Sequence, residues 1–209
     1  MRTPRPTLAR AAGRASALQR RGRRILLSGL APLALWCAAS SAQAVEYGRI
    51  QADKSQIGFT YQQMGVKMDG RFRRFTAELA FDPAKPAAAR AVLDVELASI
   101  DAGSPDADQE IVGKSWFDVK SFPRARFVSG TIRALDASRY EVAGKLTIKG
   151  VTRDVTVPAT FTSQSGTAVF EGTFPIRRGD FTIGEGVWSK FDVVGNDVVV
   201  RFRLVAGAK

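Results

Sequence analysis

Ile57-Gly58-Phe59-Thr60-Tyr61-Gln62-Gln63-Met64-Gly65 is the stretch that decides the fold. Ile57, Phe59 and Tyr61 occupy every second position, with Gly58, Thr60 and Gln62 between them. A period of two marks a strand whose alternate side chains stand on opposite faces. Gln63 then continues the apolar face as a polar group, just before Met64-Gly65. That face is either packed core or the wall of a cavity with a polar group at its mouth. Periodicity alone does not separate the two.

The same alternation runs through most of the chain. Phe75, Ala77, Leu79 and Phe81 interleave with Arg74, Thr76, Glu78 and Ala80. Leu93, Val95 and Leu97 alternate with Asp94 and Glu96, and Val198, Val200, Phe202 and Leu204 with Val199, Arg201 and Arg203. Further strands are expected over 127–135, 140–148, 154–161 and 169–176, and Lys149-Gly150 reads as a tight connection. About eight strands, apolar on one face and charged on the other, predict an all-β protein: an antiparallel barrel or sandwich with a wet outside. A membrane barrel would need the reverse, an apolar outer band and a polar lumen. Ser104-Pro105-Asp106-Ala107-Asp108 interrupts the pattern as a helix start, with a capping serine, a first-turn proline and acids at the positive end of the dipole. That short helix is expected to reach about Lys114.

Residues 1–44 read differently. A basic cluster, Arg20, Arg21, Arg23 and Arg24, precedes the apolar run Ile25 to Ala39, and small residues end at Ala44. This is the order of a secretory signal, and the run falls short of the roughly 20 residues that span a bilayer. Cleavage is expected after Ala44, which leaves one domain over 45–209 and a periplasmic location. The segment holds eight arginines and no acids, so 23 basic residues face 20 acidic ones from Val45 onward. A net charge near +3 removes the nucleic-acid reading that the basic whole chain invites.

From Val45 onward there is no cysteine and no histidine. Disulfides, cysteine or histidine metal sites, and Ser-His-Asp or Cys-His catalysis are therefore excluded. Asp106, Asp108 and Glu110 fail as a calcium loop, because Ile111 stands where glycine is required. Gly184-Glu185-Gly186 starts like a dinucleotide fingerprint, but Ser189 replaces the last glycine. Arg71-Phe72-Arg73-Arg74-Phe75 interleaves charge and aromatic rings; a solvated strand end is preferred over contact with anionic headgroups. Asp94 and Glu96 share the outer face, so no inward carboxylate pair is available for acid–base catalysis.

The aromatic set remains. Phe59, Tyr61, Phe75, Phe81, Phe127, Phe161, Phe174 and Phe202 are expected on one inner face, with Trp116, Phe117, Trp188 and Phe191 on connections. An eight-stranded barrel is just wide enough to fill with side chains or to hold one small ligand.

The segment Lys145-Leu146-Thr147-Ile148-Lys149-Gly150-Val151-Thr152-Arg153-Asp154-Val155-Thr156-Val157-Pro158 resembles the hallmark hairpin of the YceI-like proteins. The order around it is similar too: Ser55 to Tyr61, Met64-Gly65, Gly70-Arg71-Phe72, Ser99-Ile100-Asp101, Trp116-Phe117-Asp118, Phe122-Pro123, Phe127-Val128-Ser129 and Asp180-Phe181. The resemblance covers essentially everything after residue 44. It implies an exported, lipocalin-like antiparallel barrel of eight strands that binds a polyisoprenoid or quinone-type lipid, with no catalytic centre and no cofactor. Many members of the family carry histidine where Lys54 and Gln63 stand, and often near Glu110, so any role resting on those histidines is absent from this chain.

The expectation is a carrier whose ligand lies against Ile57, Phe59, Tyr61, Phe75, Leu79, Phe127 and Phe181, with Gln63 and Tyr61 at the mouth and Trp116 and Phe117 over the opening. Transient contact with a membrane or membrane protein and a homodimer are compatible with it. The rival readings are a solid barrel acting through its surface, as an interaction or stress-response module, and an enzyme working with Asp, Glu, Tyr or Lys alone.

Overall fold

The computed structural model describes residues 45–209. The segment expected to be a cleaved signal lies outside the described residues. Eleven strands and one short helix follow in order: β1 (Tyr47–Ile50), β2 (Gln56–Gln63), β3 (Val66–Phe72), β4 (Phe75–Ala80), β5 (Arg90–Glu96), β6 (Ile100–Asp101), α1 (Pro105–Ile111), β7 (Arg124–Ala134), β8 (Arg139–Ile148), β9 (Val151–Gln164), β10 (Thr167–Arg177) and β11 (Asp197–Ala208). The three strands beyond the expected eight are those that alternation does not mark. β1 and β6 have only four and two residues, and β3 reads VKMDGRF, mostly polar. The helix stops three residues short of Lys114, because Gly113 turns the chain back with its N–H on Glu110 O.

All pairing is antiparallel, in the order β4-β5-β7-β8-β9-β10-β11-β2-β3-β6, and the sheet curls into a lipocalin-like barrel. Three of its hairpins turn on two residues with positive φ: Met64-Gly65, Lys149-Gly150 and Ser165-Gly166. These angles belong to the turn whose twist matches that of paired strands. The curl is secured at both seams. β1 pairs with β11, while Tyr47 exchanges two backbone hydrogen bonds with Phe81, at 2.8 and 3.0 Å. At the other end Arg73 N donates to Ser99 O, and Glu96 N to Arg74 O.

The interior has two parts. One end is filled by an aromatic plug in which the Phe81 ring lies 5.0–5.2 Å from the rings of Tyr140, Phe161 and Phe170. Ala168 and Ala206, fully buried, let these rings close the end. Phe81 and Phe161, expected on one inner face with the other aromatics, thus form a floor instead. Phe59, Tyr61, Phe127, Phe174 and Phe202 belong to the second part, which is hollow. Outward charges pair along the sheet: Asp94 with Arg126 and Glu96 with Arg74, both at 2.7 Å. Exposed pairs of this kind contribute little stability, about 0–1 kcal/mol each.

Candidate ligand cavity

A cavity of about 510 Å³ occupies the barrel above the aromatic floor. Its size falls in the range of about 300–1,000 Å³ typical of small-molecule sites. Ile57, Phe59 and Tyr61 come from β2, and Val198, Val200, Phe202 and Leu204 from β11. Leu79, Leu93, Phe127, Leu146 and Val157 continue the wall around the barrel. Period two in each strand brings these positions together, because the inward side of every strand is the apolar one.

The lumen stays open for a structural reason. A Cβ at Gly70 would sit 2.2 Å from Phe59 Cζ, one at Gly144 2.6 Å from Phe127, and one at Gly172 2.5 Å from Phe202. Each of these three phenyl rings therefore lies in the space vacated by a glycine on the neighbouring strand. Rings laid along the sheet cover wall area without filling the centre.

The open end is built from three segments. Ile100 to Ile111 brings α1 across it, Trp116 and Phe117 lie beneath, and 183–194 forms the facing loop. Tyr61 links the first of these to the wall by donating its O–H to Ala102 O at 3.0 Å. Ala102 N in turn donates to Asp108 Oδ1 at 2.6 Å, and Ser104 caps the helix by accepting from Ala107 N. Burial, and then the Asp108 charge, push the Tyr61 phenol up, so it remains a neutral donor.

The facing loop is pinned from inside by Arg178, which is 2% exposed and has no carboxylate partner among the described residues. Its guanidinium donates to six backbone carbonyls, those of Ile183, Gly184, Trp188, Lys190, Val194 and Gly195. It also lies 5.2 Å from the Trp116 ring centre and 4.7 Å from that of Phe191. Burial lowers its pKa, yet carbonyl dipoles on every N–H keep the cation bound in place. Gly184 is required here, since a Cβ would come within 2.0 Å of Arg178 Nη1. Lys149 adds a second tie, donating to Thr182 O at 2.9 Å and Glu185 Oε2 at 2.5 Å.

Of the ten residues the sequence nominated, Ile57, Phe59, Tyr61, Gln63, Leu79, Trp116, Phe117 and Phe127 border the cavity. Phe75 is half-buried against the core beside it, and Phe181 is buried in a short 3-10 turn rather than on the wall. Gln63 is exposed at the rim, where its backbone bridges to Val194. Trp116 and Phe117 lie inside the mouth instead of above it. Among the described residues, Trp116 Nε1 is the buried side-chain polar atom that lacks a hydrogen-bond partner. Sequence reasoning missed Arg178, which follows Arg177 at a strand end and looks like a solvated charge. The described residues hold no cluster of three or more His, Cys, Asp or Glu suited to a metal.

An antiparallel barrel with an apolar lumen defines a protein of the lipocalin-like fold class. The chain belongs to the YceI-like family, whose domain model matches residues 49–206. A UPF0312 protein of Pseudomonas savastanoi pv. phaseolicola is 30% identical over 170 residues, 76% of this chain and 88% of that one. A UPF0312 protein of Photorhabdus laumondii is 31% identical over 163 residues, 74% and 84% of the two chains. The crystal structure of Burkholderia cenocepacia BcnA superposes with a TM-score of 0.73 at 39% identity, covering 75% of this chain and 99% of that one. A polyisoprenoid binding domain from Saccharophagus degradans, implicated in plant cell wall breakdown, superposes at 0.63 with 16% identity, covering 79% and 99%; at that identity the likeness is one of fold.

Proposed function

We propose that this chain is a periplasmic carrier that holds the tail of an isoprenoid lipid, of the prenol or quinone type, inside its barrel. The carrying observation is the closed-floor apolar cavity of about 510 Å³. Apolar cavities resist hydration, which favours an apolar guest. Each CH₂ removed from water contributes about 0.8 kcal/mol, so the tail supplies most of the affinity. The name of the Saccharophagus domain supports the choice of isoprenoid among apolar ligands.

The polar groups sit at the open end, so the head stays there while the tail runs toward the floor. Gln63 offers an amide at the rim, and the unpartnered Trp116 N–H lies buried beside the lumen. Tyr61 has spent its proton on Ala102 O but keeps acceptor capacity. A ketone or hydroxyl oxygen suits this set. No reaction is assigned to the site: the carboxylates that border the cavity, Glu78, Asp106 and Glu110, are all exposed. The test is solvent extraction of the purified protein followed by mass spectrometry, with thermal unfolding in added quinones and prenols. An isoprenoid in the extract and a raised unfolding temperature are expected. The reading fails if no lipid co-purifies and neither ligand class shifts unfolding.

A further inference from the structure

The loop and hairpin that frame the mouth have an inner and an outer face, residue by residue. Gln63 borders the cavity and Met64 beside it is 76% exposed. Trp188 borders the cavity and Val187 beside it is 88% exposed. Val194 borders the cavity and Val193 beside it is exposed. Val66 and Phe191 stand out on the same two segments. Met64 N donates to Val193 O at 2.7 Å, so the hairpin tip and the loop meet in one continuous rim. Five of the eight exposed large apolar side chains among the described residues lie on this rim. Exposed apolar groups gathered around an opening, instead of scattered singly, mark a contact surface.

The charges around them select the partner. Lys67 and Lys190 have no carboxylate within ion-pair distance among the described residues. Of the acids around the mouth, Glu185 pairs with Lys149, Asp192 Oδ1 accepts the Val193 N–H and Glu110 Oε1 the Trp188 indole N–H, while Asp106 stands on α1 across the opening from Lys67 and Lys190. The basic–aromatic run at Arg71 to Phe75 does not compete as a cationic surface. Arg71 and Arg73 share Asp101 at 3.1 and 3.0 Å, and Arg74 is held by Glu96. Apolar tips flanked by free lysines match an interface of acyl chains beneath anionic headgroups.

We propose that the Met64–Val66 hairpin tip and the 187–193 loop dock the mouth of the barrel onto an anionic phospholipid bilayer. Docked in this way, the cavity opens onto the membrane, so an apolar guest passes between bilayer and barrel without crossing water. The inference deepens the carrier reading and rests on it for its purpose, but docking is measurable without any guest.

The experiment is flotation of the protein spanning 45–209 with vesicles of phosphatidylcholine alone and of phosphatidylcholine mixed equally with phosphatidylglycerol. The wild type is expected to float with the anionic vesicles and to leave them as salt rises. Met64→Ser with Val187→Ser is expected to weaken partitioning about tenfold, since two exposed apolar tips lose their burial. Lys67→Gln with Lys190→Gln is expected to flatten the salt dependence. Neither pair touches the lumen, so binding of a short-chain quinone in solution and the unfolding temperature stay at wild-type values. Docking is overturned if the wild type remains in the buffer, or if all variants float alike. It is equally overturned if Met64→Ser with Val187→Ser halves the mass in sedimentation, for the rim is then an interface between two copies. A lipid in the solvent extract together with no flotation removes docking and keeps the carrier; flotation with an empty extract removes the carrier and keeps docking.

Discussion

The Trp188 indole donates its N–H to Glu110 Oε1 at 2.9 Å, joining the facing loop to α1 across the mouth of the barrel. The same indole lies 5.3 Å from the Trp116 ring. One hydrogen bond and one ring contact thus connect the two sides of the opening. Trp188→Phe keeps the ring contact and deletes the donor. An exposed hydrogen bond contributes about 1 kcal/mol, which corresponds to a roughly fivefold change in the closed-to-open ratio. The variant is expected to release a bound apolar fluorophore several-fold faster in stopped-flow experiments, with its unfolding temperature nearly unchanged. Equal release rates would show that the latch does not gate the cavity.

Arg178 is a buried cation whose hydrogen-bond partners are all carbonyls, and its loss should be felt by the whole loop. Arg178→Met keeps length and apolar bulk while leaving six carbonyls without this donor. A cost of about 3 kcal/mol or more is expected in urea unfolding. Arg178→Lys should recover little of it, because an ammonium has three donors and no planar fork. Full recovery by lysine would mean that charge, rather than the fan of hydrogen bonds, holds the loop.

Gly172→Ala tests why the lumen is open. The new methyl would lie 2.3 Å from Pro158 O and 2.5 Å from the Phe202 ring. Overpacking of this kind costs about 1–3 kcal/mol, and the ring has the lumen as its free direction. Weaker binding of an apolar probe is expected alongside the lower stability. Gly166→Ala is the control: its turn has φ of 76° and meets nothing within 4 Å. It should lose stability through the backbone alone and bind as before.

The pH profile follows from groups displaced in opposite directions. Asp69 is held below its usual range by hydrogen bonds from Thr60 and Arg201, Glu96 by Arg74, and Asp101 by Arg73. Each carboxylate adds stability that is complete above its unfolded pKa of about 4 and lost as pH falls through the lower folded value. Tyr61 and Tyr140 are raised by burial first, then by Asp108 and Asp136 respectively. Their contribution is complete below about 10 and lost as pH rises through the folded values. A plateau from about pH 5 to 9 is expected in urea midpoints, with a fall on either side. Tyr61→Phe should lower the plateau by about 1 kcal/mol and shallow the alkaline fall. An unchanged alkaline limb would place that titration elsewhere.

Much of this architecture was readable from alternation, since β2, β4, β5 and β11 each show period two, with charge on the outer face of the last three. β6, with two residues, carries no such signal; it exists because Phe72 and Arg71 offer an edge to Ile100 and Asp101. Whether Phe59 and Phe202 fill the lumen or line it was not readable from their own strands. The answer lies at Gly70 and Gly172, which become their neighbours only through the register β2–β3 and β10–β11. Glycines inside strands are a visible sign of close approach, but not of what approaches. Arg178 gave no sign at all, because its six acceptors are backbone atoms that any sequence possesses. Phe181 shows the opposite limit: a motif shared with a family placed it near the site, and packing put it behind the wall.

The seam at Tyr47 bears on how the chain folds. Tyr47 pairs with Ala208 and with Phe81, so one four-residue strand ties the final strand to the fourth. Contacts so distant along the chain must wait until their loop-closure entropy has been met, and folding dominated by them is slow. The barrel therefore completes only when β11 is in hand, and a nascent chain cannot seal its floor while synthesis is under way. Until that moment β10 and β2, which β11 comes to lie between, keep open edges that other strands can join. A protein with this seam spends its early life as a sheet in need of protection and becomes a vessel in its last step.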